Sequence, residues 1–152
     1  MMLKPPAAAV DGRNDLGESM QQRLPVMLVL GFVVGLGWAS RAYDGLFPNA
    51  LGKYPGDALW TVAVYLGWKL VVPAMAPWKL GLTALAQSFG VEFLQLYHAP
   101  WLDGIRGNYF GHLLFGSTFN PMDLVAYSVG ATAVFLGDRF LVPRGPLSVR
   151  GA

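Results

Sequence analysis

Leu24-Pro-Val-Met-Leu-Val-Leu-Gly-Phe-Val-Val-Gly-Leu-Gly-Trp-Ala-Ser40 carries no charged group. A helix rises about 1.5 Å per residue, so this run reaches roughly 25 Å. A bilayer's hydrocarbon core is about 30 Å thick, and the stems of the flanking Arg23 and Arg41 are long enough to snorkel to either surface. The run therefore reads as a membrane-spanning helix. Pro25 suits its first turn, and Gly31 and Gly35 offer a small face for close approach of a second helix.

The rest of the chain has the same character. Of its 152 residues 54% are hydrophobic and 13% charged, about half the charge share of roughly 25% in soluble domains. The length suits one domain. A net charge of +2 without a Lys/Arg run gives nucleic acid no footing. The absence of cysteine excludes disulfides, thiolate catalysis and Cys-ligated metals. Residues 1–23 are polar and mixed in charge, unlike a cleavable signal sequence, and read as a flexible tail; 143–152 read as a second tail.

Three further helices follow from the pattern. One starts near Pro55 with Asp57 in its first turn, where a carboxylate meets the positive end of the helix dipole. Its apolar run is broken by Lys69, either a residue at the headgroups or an ion-pair partner inside the bundle. A third helix runs from Lys79 to about Tyr97 and carries Gln87, Glu92 and Gln95. Asn120-Pro121-Met122-Asp123 then reads as a helix start, with Asn as N-cap, Pro at the first position and Asp at the third. Between these, Pro100 to Ser117 is too polar to span, but Trp101, Ile105, Tyr109 and Leu113 recur at helical spacing, as in a helix lying in the membrane interface. The expected fold is all-α: a polytopic four-helix transmembrane bundle over residues 24–142, with an interfacial segment between helices three and four.

Orientation follows from the basic residues. Lys4, Arg13, Arg23, Lys69, Lys79, Arg139, Arg144 and Arg150 fall on one side, against Arg41, Lys53 and Arg106 on the other. The excess of Lys and Arg belongs to the cytoplasmic side, so both termini are expected there. Asp44, Asp57, Glu92, Asp103 and Asp123 then collect at the outer end.

Glu92 and Gln95 are three residues apart and share one helix face. A carboxyl about five residues inside a membrane helix should face the bundle or a water-filled cavity and have a partner. Arg106, supplied by the same stretch, is the expected partner; the alternative is a neutral carboxyl bonding across helices. Asp57 and Asp123 each suit a helix dipole as well as a site. His98 and His112 show no zinc-ligand spacing, so no metal and no cofactor is expected. His98 beside Tyr97 and Trp101 suits the interface, and Asp103 with Arg106 is spaced for a local ion pair.

The segments Lys53-Tyr-Pro-Gly-Asp57-Ala-Leu-Trp60, Glu92-Phe-Leu-Gln95-Leu-Tyr97-His98-Ala-Pro100-Trp101-Leu-Asp103-Gly-Ile-Arg106 and Asp123-Leu-Val-Ala-Tyr127-Ser-Val-Gly130 resemble an uncharacterised bacterial membrane family, domain of unknown function 2809. An Asp opening helix two, Glu-x-x-Gln ending helix three and Asp-Leu opening helix four are also similar to the VanZ-like proteins, whose namesake is associated with resistance to a glycopeptide antibiotic. The resemblance covers about residues 25–140. It implies a four-helix protein of the bacterial cytoplasmic membrane. Where VanZ-like chains have a shorter Pro-Gly-Arg-type turn, this chain has Trp101-Leu-Asp-Gly-Ile-Arg106.

The function expected from these residues is binding without catalysis. Arg41, Asp57, Glu92, Gln95, Asp103, Arg106 and Asp123 would line an outward-facing polar site for the head of an envelope lipid or amphiphile. The alternatives are a membrane enzyme using Glu92 or His98 as general base on a lipid-linked substrate, and a structural subunit. Membrane lipids are the expected partners, with a larger membrane complex or a homo-oligomer left open.

Overall fold

Proline and asparagine set most of the helix boundaries. The computed structural model describes residues 12–43, 45–109, 111, 114, 116 and 118–140. The tails at 1–11 and 143–152, and Asp44, His112, Leu113 and Ser117, lie outside the described residues. Helix α1 covers Gly12–Ala42 and leads through a 3₁₀ turn at Asn49–Leu51 into α2, Tyr54–Val71. Helices α3 (Pro77–Leu94), α4 (Pro100–Arg106) and α5 (Pro121–Phe140) follow. Pro77, Pro100 and Pro121 each open a helix, where a missing N–H costs no intrahelical bond. Asn120 caps α5 as its sequence predicts: its Oδ1 accepts from the Met122 N–H at 3.1 Å. The described residues are helical with no strand.

Two boundaries differ from expectation. Helix α1 takes in residues 12–23, so Pro25 sits inside it and not in its first turn. Helix α3 stops at Leu94, three residues earlier than expected, and tightens: Gln95, Leu96 and Tyr97 donate to the carbonyls three residues back. Ala99 is extended (φ −147°, ψ 145°), as a residue before proline should be.

The helices alternate in direction. The end of α1, the start of α2, the end of α3 and the start of α5 therefore meet at one end of the bundle. Helix α2 is central, packing on α1, α3 and α5, while α3 also packs on α5. Tyr65, Leu66, Leu80, Ala84 and Val33 form the buried apolar core. Between α2 and α3, the fully buried Thr61 donates to Ser88 at 3.1 Å.

The glycines that let helices approach are not the ones α1 suggests. Gly31 and Gly35 have nothing within 4 Å of where a Cβ would stand. Their face is turned away from the other helices, because the packed side of α1 is that of Val26, Leu30 and Val33. The close crossing is α2 on α5, where a Cβ on Gly130 would lie 2.2 Å from the Ala58 carbonyl oxygen. A second is α1 on α2, where a Cβ on Gly56 would lie 2.8 Å from Ser40 Oγ.

Polarity is distributed inside-out. Asp57, Thr61, Ser88, Glu92, Asp123 and Asp138 are buried, whereas Leu28, Phe32, Leu82, Phe93, Val129 and Leu136 are exposed. Residues Arg23–Ala42 of α1 form a helix long and apolar enough to cross a membrane, the one such helix among those described. Helix α4 follows α3 with Trp101 and Ile105 exposed, Tyr109 being exposed just beyond it.

At the far end Lys69 is an ion-pair partner inside the bundle. It binds the buried Asp138 of α5, whose other oxygen accepts from Tyr65 at 2.5 Å. The pair clamps α2 to α5 at the end opposite the Gly130 crossing.

Gly130→Ala should lower stability by about 1–3 kcal/mol, since the added methyl meets backbone that cannot rotate away. Gly31→Ala and Gly35→Ala should leave it unchanged or raise it, alanine favouring helix by up to about 1 kcal/mol. Thermal unfolding in detergent checks this; a loss at Gly31 or Gly35 equal to that at Gly130 would contradict the packing described.

Candidate functional site

Glu92 is the deepest polar group at the charged end of the bundle. Its side chain is fully buried and accepts three hydrogen bonds. Oε1 takes the backbone N–H of Asn120 at 2.7 Å. Oε2 takes Gln95 Nε2 and the Tyr127 hydroxyl, each at 3.1 Å. Gln95 lies one turn on along the same helix, while Asn120 and Tyr127 come from the start of α5. The carboxyl thus joins the end of α3 to the start of α5, and it also satisfies a backbone donor there.

Arg106 is elsewhere, which corrects the expected pair. It donates through Nη2 to the Leu94 carbonyl at 2.7 Å and through Nη1 to the Tyr97 carbonyl at 2.9 Å. Those carbonyls belong to the last turn at the end of α3, where the helix dipole is negative; the Leu94 oxygen also accepts from the Tyr97 N–H. The Arg106 guanidinium is engaged by these carbonyls and not by Glu92. Arg106 also contacts Asp103 at 3.3 Å, the expected local pair, and Asp103 is 3.3 Å from His98 Nδ1. His98, Asp103 and Arg106 form a second group around the α3–α4 link.

Above Glu92 lies a cavity of about 260 Å³. Of the residues expected at a site, Arg41, Asp57, Gln95 and Asp123 line it; His98, Asp103 and Arg106 do not. Glu92 sits behind the wall and reaches the cavity through Gln95 and Tyr127, which line it. Two lining residues escaped the sequence reading, Lys53 and Tyr127. Both had a signal: Lys53 stands four residues before Asp57, and Tyr127 four after Asp123, on the same helix face. Gly116, with φ +60°, packs its backbone on the Gln95 amide, where a Cβ would come within 2.5 Å of Nε2.

The charges form two crossed pairs. Arg41 Nη2 binds Asp57 Oδ1 at 2.8 Å, joining α1 to α2. Lys53 Nζ binds Asp123 Oδ2 at 2.5 Å, joining the start of α2 to α5, while Asn120 Nδ2 holds the other Asp123 oxygen at 3.0 Å. In each pair the acid is buried, its side chain 3% or 4% exposed, and the base is at the mouth, 41% or 49% exposed. One acceptor is left over: Asp57 Oδ2 is buried without a partner. A buried carboxylate oxygen costs free energy unless something donates to it. No group of three or more His, Asp or Glu suited to a metal comes together among the described residues. The arrangement offers hydrogen-bond and charge recognition, with donors at the mouth and a buried, unpaired acceptor on Asp57.

Glu92→Ala should cost at least about 3 kcal/mol, because three donors lose their acceptor at about 1–3 kcal/mol each when buried. Glu92→Gln should cost about 1 kcal/mol, since Gln95 can flip and Tyr127 can accept. Glu92→Ala and Arg106→Ala share no partner, so their costs should add to within about 0.5 kcal/mol. A Glu92–Tyr127 double-mutant cycle should show coupling instead. Coupling between Glu92 and Arg106 would restore the ion pair excluded above.

No solved structure matches the chain. A family model does match, over residues 46–131, that of proteins of unknown function designated DUF2809. The match spans α2, α3, α4 and the first half of α5, and so includes every residue of the cavity wall except Arg41. With more than half of its length matched, this chain belongs to the DUF2809 family.

Proposed function

We propose that the chain is a small integral membrane protein whose cavity holds the head of an envelope lipid or amphiphile without transforming it. The observation that carries this reading is the buried, unpartnered Asp57 Oδ2 in the wall of a cavity with two cations at its mouth. A buried carboxylate oxygen without a donor from the protein is explained when a ligand supplies one.

Placement in a membrane rests on the exposed apolar faces of α1, α3 and α5 around a polar interior. Lipid would cover those faces, with α1, α2, α3 and α5 as the four spans and α4 in the interface. Both termini would be cytoplasmic by the distribution of Lys and Arg, and the cavity would open to the outer leaflet. Likeness to the VanZ-like proteins agrees with this arrangement, since the shared Asp57, Glu92-x-x-Gln95 and Asp123 are the residues gathered at that end.

Catalysis is less well supported. A general base needs a free lone pair within reach of substrate. Glu92 is fully buried behind three donors, and His98 lies on the exposed α3–α4 link beside Asp103.

Cysteines at the exposed positions 49 and 74 test the orientation. Asn49→Cys should react with a membrane-impermeant maleimide on intact cells, and Ala74→Cys only after lysis; the reverse would invert the cavity. For the binding reading, the protein purified from membranes should carry lipid at about one per chain by native mass spectrometry. A lipid-free chain, or turnover of a lipid-linked substrate that Glu92→Gln abolishes while binding persists, would overturn it.

A further inference from the structure

The order of charge through the cavity narrows the class of head. Arg41 and Lys53 stand at the mouth, while Asp57 and Asp123 lie on the floor. Two positive and two negative charges balance, so a head of zero net charge enters without leaving an uncompensated ion. Among the described residues, Arg41 uses one of its five N–H donors, on Asp57, and Lys53 one of its three, on Asp123. Both have donors to spare for an anionic group at the entrance. On the floor the need is opposite: Asp57 Oδ2 has no donor.

We infer that the cavity recognises an aminoalkyl phosphate head, entering with its primary ammonium towards Asp57 and its phosphate between Arg41 and Lys53. This rests on the head-binding reading and makes it specific. In an aminoalkyl phosphate lipid the phosphate is nearer the tail and the ammonium is terminal, so an amine-first pose places each charge against its opposite. A primary ammonium carries three N–H donors, whereas a trimethylated one has none to give Asp57. Oδ2 is out of solvent contact, and Arg41, held to the same carboxylate by one bond and half-exposed, is the group that turns aside to admit the amine.

The test is competition for the full-length protein in detergent, read by native mass spectrometry. The probes are phosphatidylethanolamine, its mono-, di- and trimethylated forms and phosphatidylglycerol, all with the same acyl chains. Phosphatidylethanolamine should be retained over phosphatidylcholine by about tenfold, as one hydrogen bond to a buried charge implies, with retention falling through the methyl series. Asp57→Asn should shrink that preference to about twofold or less. The methyl series uses the unaltered protein, so it decides the matter even if the variant does not fold. Free glycerophosphoethanolamine displacing the lipid at equal concentration would support the same head chemistry with a soluble source. Equal retention across the methyl series, or preference for phosphatidylglycerol, overturns the amine-first inference alone. Failure to retain any lipid overturns the head-binding reading as well.

Discussion

The hydrogen bond from the Asn120 backbone N–H to the Glu92 carboxyl holds this structure together at the cavity end. Helix α5 begins at Pro121, and Asn120 is the residue before it. Its half-buried N–H would lose its acceptor if α3 did not present a carboxyl at that depth. Once α5 is seated there, Tyr127 falls about two turns further along and donates to the other oxygen. Asp123 comes to face Lys53 on α2. The cavity is what remains between these fixed points. Glu92 is thus a positioning group for the cavity and does not line it.

Polar groups inside a small bundle raise its demand for geometry. A buried acid that loses a partner is costly, so each one constrains a neighbouring helix. Arg41 with Asp57 fixes α1 on α2, Lys53 with Asp123 fixes α2 on α5, and Lys69 with Asp138 fixes the opposite end. Under the membrane placement proposed above, the apolar faces of the helices would gain little by meeting one another, and such contacts and small-residue crossings such as Gly130 on Ala58 would supply the specificity. Against that background the unpaired Asp57 Oδ2 stands out, because the surrounding acids are otherwise satisfied.

Much of this was legible in the sequence. Proline and asparagine positions locate the helix starts, and alternation of helix direction brings Arg41, Asp57, Gln95 and Asp123 to one end, where all four line the cavity. What was hidden is pairing. The donor that matters most to Glu92 is a backbone N–H, which no residue type reveals. Arg106 lies close in sequence and carries the right charge, but the carbonyls ending α3 are nearer still, and a helix end competes for a cation as a carboxylate does. Gly31 and Gly35 have the right spacing for packing, yet spacing cannot say which face a neighbour covers. Lys53 stands one turn before Asp57, but only the docking of α5 supplies the Asp123 it binds.

The central claim is that the cavity is completed by a ligand's donor at Asp57. The most direct measurement is a high-resolution cryo-EM or crystal structure of the chain purified in native lipid. The account predicts a non-protein head group in the cavity with a donor atom about 3 Å from Asp57 Oδ2 and an anionic group against Arg41 and Lys53. A cavity holding only water, or an Asp57 with both oxygens bonded within the protein, would contradict it.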